Sequence, residues 1–208
     1  MKNAQNTMHY NSAKITGRMI GDLIPCNETG KTKLYKGMLA VKRLSGTFDY
    51  LPVIVHEKLA ETLPDLLDKT VEVIGQISTC NQHVNGKSRL IVDLFACSIN
   101  EVGHEDYNNE VVLRGAVCKP PVFRATPMGR EICDVMLAVN RPNGRAAYVP
   151  CVVWGREARR VRSANIGETI EVRGRFQSRN YEKQHEDGVV EIRVAYEISV
   201  AKVAMEAE

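Results

Sequence analysis

This 208-residue chain has no apolar run near the roughly 20 residues that a helical membrane span requires, which excludes one. Its opening, MKNAQNTMHYNSAK, is polar and has no apolar stretch of the kind a secretory signal carries. Six cysteines (Cys26, Cys80, Cys97, Cys118, Cys133, Cys151) are scattered, without a CxxC pair and mostly within apolar runs. They read as buried reduced thiols rather than as a zinc site or disulfide framework. His9, His83, His104 and His185 stand in polar stretches without a partner at metal-ligand spacing, so no metal is expected. The chain shows no Ser/His/Asp order, no paired carboxylates and no phosphate loop. Neither an enzyme nor a cofactor is expected, and the compartment expected is the cytoplasm.

Charge is also scarce in sum, a net +3, but it is unevenly placed. Residues 1–108 hold 12 Lys+Arg against 12 Asp+Glu, whereas residues 109–208 hold 16 against 13. The first half has nine Lys and three Arg, the second three Lys and thirteen Arg. Arginine forks onto phosphates and stacks flat on bases, so the bias favours an anion-binding second half.

What the chain does contain is itself, twice. At an offset of 98, Asn11 matches Asn109, Gly17 matches Gly115, and Leu39-Ala40-Val41 matches Leu137-Ala138-Val139. Tyr50-Leu51-Pro52-Val53-Ile54-Val55 matches Tyr148-Val149-Pro150-Cys151-Val152-Val153, and one inserted residue later Val71–Gly75 matches Ile170–Gly174. The expected organisation is a tail (1–10), a first copy (11–102), a polar linker (103–108), a second copy (109–203) and a short C-terminal tail (204–208).

In each copy five β-branched runs alternate with turn signals, and a helical stretch lies between the third and fourth. These stretches are His56 to Leu67, interrupted by Pro64, and Arg156 to Ala164. Asn85-Gly86 and Asp187-Gly188 mark hairpin turns. Five strands with a helix after the third is the layout of an OB-fold, a small Greek-key barrel. The fold class is therefore all-β, with two tandem OB-fold barrels, although pattern alone leaves other small β-barrels open.

The fourth strand of the second copy, residues 170–181, carries the strongest functional signal. Alternation puts Ile170, Val172, Gly174, Phe176 and Ser178 on a core face. Glu171, Arg173, Arg175, Gln177, Arg179 and Tyr181 fall on the other face, a guanidinium ladder ending in a ring. The third strand leaves Tyr148, Pro150, Val152 and Trp154 outward. Rings beside arginines suit single-strand binding without sequence preference, because bases stack while cations follow the backbone. The alternative is that the ladder pairs with neighbouring glutamates and Trp154 packs at an interface.

Residues 109–203 further resemble the DNA-binding domain of bacterial single-stranded DNA-binding proteins. The likeness rests on Asn109-x-Val-x-Leu-x-Gly115, Pro121-Val-Phe-Arg124, Thr126-Pro-Met-Gly129, Leu137-Ala-Val-Asn140, Tyr148 through Arg156, and Val172 through Tyr181. The resemblance implies that Tyr148, Trp154 and Tyr181 stack bases and that Arg156 and Arg179 hold phosphates. Arg124, Arg141, Arg173 and Arg175 join them as candidates for phosphate contact. Where the family usually offers another ring, this chain has Arg141-Pro142-Asn143-Gly144.

The first copy resembles the same domain only weakly. Tyr50 keeps one aromatic place, but His56 replaces Trp154, and Ile74, Gln76, Ser78 and Cys80 replace the arginine face. Tyr50, Lys42 and Arg43, with Lys31, Lys33 and Lys36, are its candidates for auxiliary contact, and an outward Ile74 suggests a surface that meets protein. The resemblance implies single-stranded DNA as partner, with RNA served by the same chemistry, and a homodimer presenting four OB domains. The family's acidic tail has no counterpart in Ala201–Glu208, so tail-mediated protein partners are not expected. The rival readings are a protein-interaction OB module and an OB-type nuclease.

Overall fold

The computed structural model describes residues 11–26, 32–84, 86–103, 108–141, 144–184 and 188–205. Side chains of Val84 and Lys87 also lie outside this description. The two tails, Lys31, Asn85, His104, Pro142, Asn143, His185 and Asp187 belong to the remainder, wholly or in the case of 204–208 in part. Most of the expected linker and one residue of each expected hairpin turn therefore lie outside the described residues.

The first copy forms β1 (Asn11–Pro25), β2 (Leu34–Lys42), β3 (Phe48–His56), α1 (Glu57–Ala60), β4 (Thr70–Val84) and β5 (Lys87–Glu101). The second forms β6 (Asn109–Val117), β7 (Val122–Ala125), β8 (Glu131–Asn140), β9 (Ala146–Trp154), α2 (Gly155–Val161), β10 (Thr169–Gln184) and β11 (Val190–Met205). Helix α1 ends well before Pro64, and the ring nitrogen of His56 caps it by accepting from the Lys58 N–H at 3.1 Å. Strand β7, a four-residue edge on β8, corresponds to the end of β1: Val122 and Phe123 pair with Asp134 and Cys133 as Ile24 and Pro25 pair with Lys36 and Tyr35.

Strand pairing closes each copy into a barrel. β1 pairs with β2 and β4, β2 with β3, β3 with β5 in parallel, and β5 with β4. β6, β8, β9, β11 and β10 repeat this circuit, again with one parallel contact, between β9 and β11. Both barrels are OB-folds of five strands. Their cores are built from matched residues: Ile15 and Leu113, Leu39 and Leu137, Val73 and Val172, Ile77 and Phe176, Leu94 and Ile198 are all buried. At the corner where the fourth strand meets the fifth, Gly75 and Gly174 each sit against a carbonyl, Phe95 O and Ser199 O. A Cβ at either position would collide with backbone. The ladder shifts register at the same point in both barrels.

The two barrels are joined through their first strands. β1 runs antiparallel to β6, pairing Asn11 with Leu113, Ala13 with Val111 and Ile15 with Asn109. Because Asn11 corresponds to Asn109 and Ile15 to Leu113, the pairing maps onto itself when the copies are exchanged. The seam is a pseudo-twofold axis within one chain, and the pairing makes one continuous sheet of eleven strands.

The cysteines correct one expectation. Only Cys133 and Cys151 are buried, Cys118 is half-buried, and Cys26, Cys80 and Cys97 are exposed. Cys80 lies where alternation carries β4 beyond the barrel's cover, and Cys97 is the extra residue at the β5 register shift. Burial raises the Cys133 thiol to about 11 and pushes Cys151 up further still.

Candidate nucleic-acid interface

The outer face of β10 is where the arginines gather. Arg173 and Arg179 are exposed and Arg175 is half-buried, while Gln177, expected outward, is buried within the same face. The reason is Glu197 on β11, itself buried, whose Oε1 accepts from Gln177 Nε2 at 2.9 Å. Glu197 also lies 3.3 Å from Arg179 Nε, and Arg173 Nε donates to Glu171 at 3.1 Å. Part of the ladder is therefore paired with glutamates, as the alternative reading held, and its heads remain at the surface. The Arg179 guanidinium stands 5.9 Å from the Tyr181 ring, within cation–π range.

Trp154, at the end of β9, is half-buried, and its indole N–H donates to Ser199 Oγ at 3.0 Å. That bond anchors the ring by its edge to β11, the strand next to β10. Together with Arg173, Arg175 and Arg179 it lines an open groove of about 1190 Å³.

The groove does not belong to the second barrel alone. Phe48 and Tyr50 from β3 of the first barrel line it as well, as do Arg130 and Lys202. Tyr50 was expected to serve its own copy, yet the seam turns it toward β10. Tyr148, its counterpart, is turned the other way: its N–H donates to Thr79 Oγ1 of the first barrel at 3.0 Å. The structure thus brings Trp154 together with Tyr50 rather than with Tyr148.

Two further candidates are held at the seam. Arg43 bonds Asp49 through Nε at 2.7 Å and through its terminal nitrogen at 2.5 Å, and it also donates to Ser178 O at 2.8 Å. Asp49 is 1% exposed and accepts from the Ser178 N–H at 2.7 Å and from its hydroxyl at 3.1 Å. The bond to Asp49 raises the Arg43 pKa further. Arg141 makes the pseudo-symmetric reach, donating to Thr79 O at 2.5 Å. Burial lowers its pKa, and Ala147 stands where Asp49 would.

The remaining candidates lie outside the groove lining. Arg124 grips Asp134 with two bonds of 2.6 and 3.2 Å. Arg156 is almost fully exposed at the start of α2, 3.5 Å from Glu157. Lys42 is exposed at the end of β2. In the first barrel Lys36 pairs with Asp93 at 3.4 Å. Sequence reasoning missed Phe48, Arg130 and Lys202 in the groove and Asp49 and Glu197 beneath it. The second copy has Ala146 in place of Phe48, so the repeat carries no signal for that ring. Among the described residues no cluster of three or more His, Cys, Asp or Glu could hold a metal ion, and no helix is long and apolar enough to cross a membrane.

Two OB barrels fused edge to edge, with rings and arginines along one outer face, define a tandem OB-fold protein. Residues 108–205 match the family model described as the Single-strand binding protein family. Over that span, just under half of its length, the chain is similar to the single-strand binding protein family. It is similar to single-stranded DNA-binding protein 3 of Listeria innocua, 45% identical over 83 residues, which are 36% of this chain and 51% of that protein. Similarity to single-stranded DNA-binding protein A of Bacillus subtilis is 41% over 85 residues, covering 36% of this chain and 48% of that one. The chain spans about half the length of the curated relatives it matches. Among solved structures, wild-type single-stranded DNA-binding protein from Thermus aquaticus aligns with a TM-score of 0.75 over 95% of this chain and 93% of that one, at 20% identity. That likeness extends the shared fold to both barrels.

Proposed function

We propose that the chain binds single-stranded DNA without sequence preference, stacking bases on Trp154, Tyr50 and Tyr181 while Arg173, Arg175 and Arg179 follow the phosphates. The observation that carries this reading is the open groove in which a tryptophan anchored by its edge stands beside three arginine heads. Stacked bases contribute about 1–3 kcal/mol each, and every base offers a π-face, which is why such a groove needs no sequence. The names of the relatives support the same ligand. Tyr148, Arg124, Arg156 and Lys42, exposed outside the groove, are proposed as contacts for a longer strand leaving it. Arg43 and Arg141 are proposed to contribute by holding the seam.

In a cell this activity would coat and protect exposed strands during replication, recombination or repair, in the cytoplasm at the nucleoid. Family resemblance supports a homodimer with four OB barrels. A light-scattering mass of two chains at micromolar concentration is the expected result, and one chain would overturn it. RNA would compete through the same stacking and phosphate contacts, less well if the groove rejects a 2′-hydroxyl.

The test is titration of Trp154 fluorescence with oligo-dT at low and moderate salt. Strong quenching, with affinity falling as salt rises, is the expected outcome. Absence of quenching together with absence of binding would overturn the reading in favour of a protein-interaction module.

A further inference from the structure

The ring that the structure adds to the groove, Phe48, comes from the other barrel, and its surroundings are unusually well built for a surface aromatic. It begins β3 and is 43% exposed. Asp49 beside it is buried and Tyr50 beyond it is exposed, so the two rings share one face of the strand. They are spaced about 7 Å along it, which gives each room for its own base. The hairpin that presents Phe48 is closed by the Arg43 N–H donating to Thr47 O at 2.7 Å and the Gly46 N–H donating to Arg43 O at 2.9 Å. Gly46 has φ +88°, a conformation that favours glycine. Asp49 and Arg43 then tie the hairpin to Ser178 on β10 of the second barrel.

We infer that Phe48 is a base-stacking residue which the first barrel supplies to the second barrel's groove, so that one single-strand site is built from both copies. The inference rests on the proposed single-strand binding. Its position is held by hydrogen bonds to the very strand that carries Arg175 and Arg179, so little ordering remains to be done when a base arrives. Among the described residues there is no reciprocal arrangement: Ala146 stands at the matching place in the second copy. The first barrel's facing strand carries Ile74, Gln76 and Cys80 where the second has arginines. Among the described residues one composite groove of this kind is therefore formed, and a strand lying in it crosses the seam.

The test compares wild type with F48A, F48L, F48W and L44A, using anisotropy of a fluorescently labelled oligo-dT of about 20 nucleotides, enough to fill one or two OB sites. Leu44 lies in the same hairpin, fully exposed and outside the groove lining. The expected result is roughly tenfold weaker binding for F48A, the size of one lost stacking partner. F48L should be as weak, since it keeps bulk without a π-face, while F48W and L44A should bind like wild type or better. If wild type binds and F48L matches it, Phe48 is only an exposed ring and the inference fails while the single-strand reading stands. If wild type does not bind at all, the single-strand reading itself falls. F48L and F48W keep a large apolar side chain at this position, so the comparison holds even where F48A is poorly folded.

Discussion

Asn11 and Asn109 perform one task in two barrels: each side chain stands in for a residue of strand backbone. Asn11 Nδ2 donates to Ile77 O and its Oδ1 accepts from the Ile77 N–H, both at 2.8 Å. Asn109 does the same with Phe176, at 2.7 and 2.9 Å. In each case the first strand is leaving its own fourth strand to pair with the other copy, and the asparagine satisfies the two groups left behind.

Replacing either asparagine by alanine orphans an N–H and a C=O together. Asn11 is buried, and N11A should cost about 2–4 kcal/mol, the sum of two unsatisfied buried groups. The bonds of Asn109 are only partly buried, water can replace some of them, and N109A should cost about 1–2 kcal/mol. Urea midpoints at unchanged slope would report both values; equal losses would contradict the difference in burial.

Asp49, Arg43 and Ser178 form one hydrogen-bonded unit across the seam. Removing a partner of a buried ion pair costs about 3–5 kcal/mol, because the other charge is left buried and alone. Arg43 is partly exposed, so R43A, which strands Asp49, should destabilise more than D49A, which strands Arg43. The double variant should lose less than the sum of the two. Denaturant melts of the three variants would show this coupling, and additive losses would refute it.

Salt dependence should separate the arginines that touch phosphate from those that hold structure. Each phosphate neutralised on a single strand contributes a slope of about 0.7 in log K against log salt. R175A and R130A should each flatten the slope by about that amount. R124A, whose guanidinium is already gripped by Asp134 outside the groove, should flatten it less. Binding isotherms at a series of salt concentrations decide the matter.

Asp93 occupies in the first barrel the place that Glu197 holds in the second. Burial raises its pKa, and this outweighs the attraction of Lys36. A carboxyl whose folded pKa lies above its unfolded one favours folding when protonated. Its contribution is complete below the unfolded value and is lost as pH rises through the folded one. D93N should therefore be more stable than wild type at neutral pH, and the advantage should vanish below about pH 4. Thermal melts at the two pH values would check it; a less stable D93N at neutral pH would show that the Lys36 pair dominates.

Much of this architecture was legible because inward residues repeat at one offset: Leu39 with Leu137 and Val73 with Val172 mark the same core in both copies. The arginine face of β10 was also legible from alternation. What alternation could not say is that Glu197, distant in sequence, covers Gln177 and holds Arg179. The seam was hidden for a different reason. Residues 13–15 and 111–113 pair on both sides, and a strand pattern does not name its second neighbour. With the seam hidden, Tyr50 reads as part of its own copy and Phe48 carries no signal. Strand β7 was missed because four exposed or half-buried residues give no alternation to detect.

The self-mapping pairing of β1 with β6 has a consequence for how this protein could change. In an assembly of identical subunits, every substitution appears on both sides of the twofold axis, so neither side can specialise. Here the two sides are encoded separately and always meet, at any concentration, because one chain carries both. The second copy can keep its cations while the first exchanges them for Ile74, Gln76 and Cys80, and a residue such as Phe48 can arise on one side only. A symmetric partnership, once made covalent, becomes a division of labour.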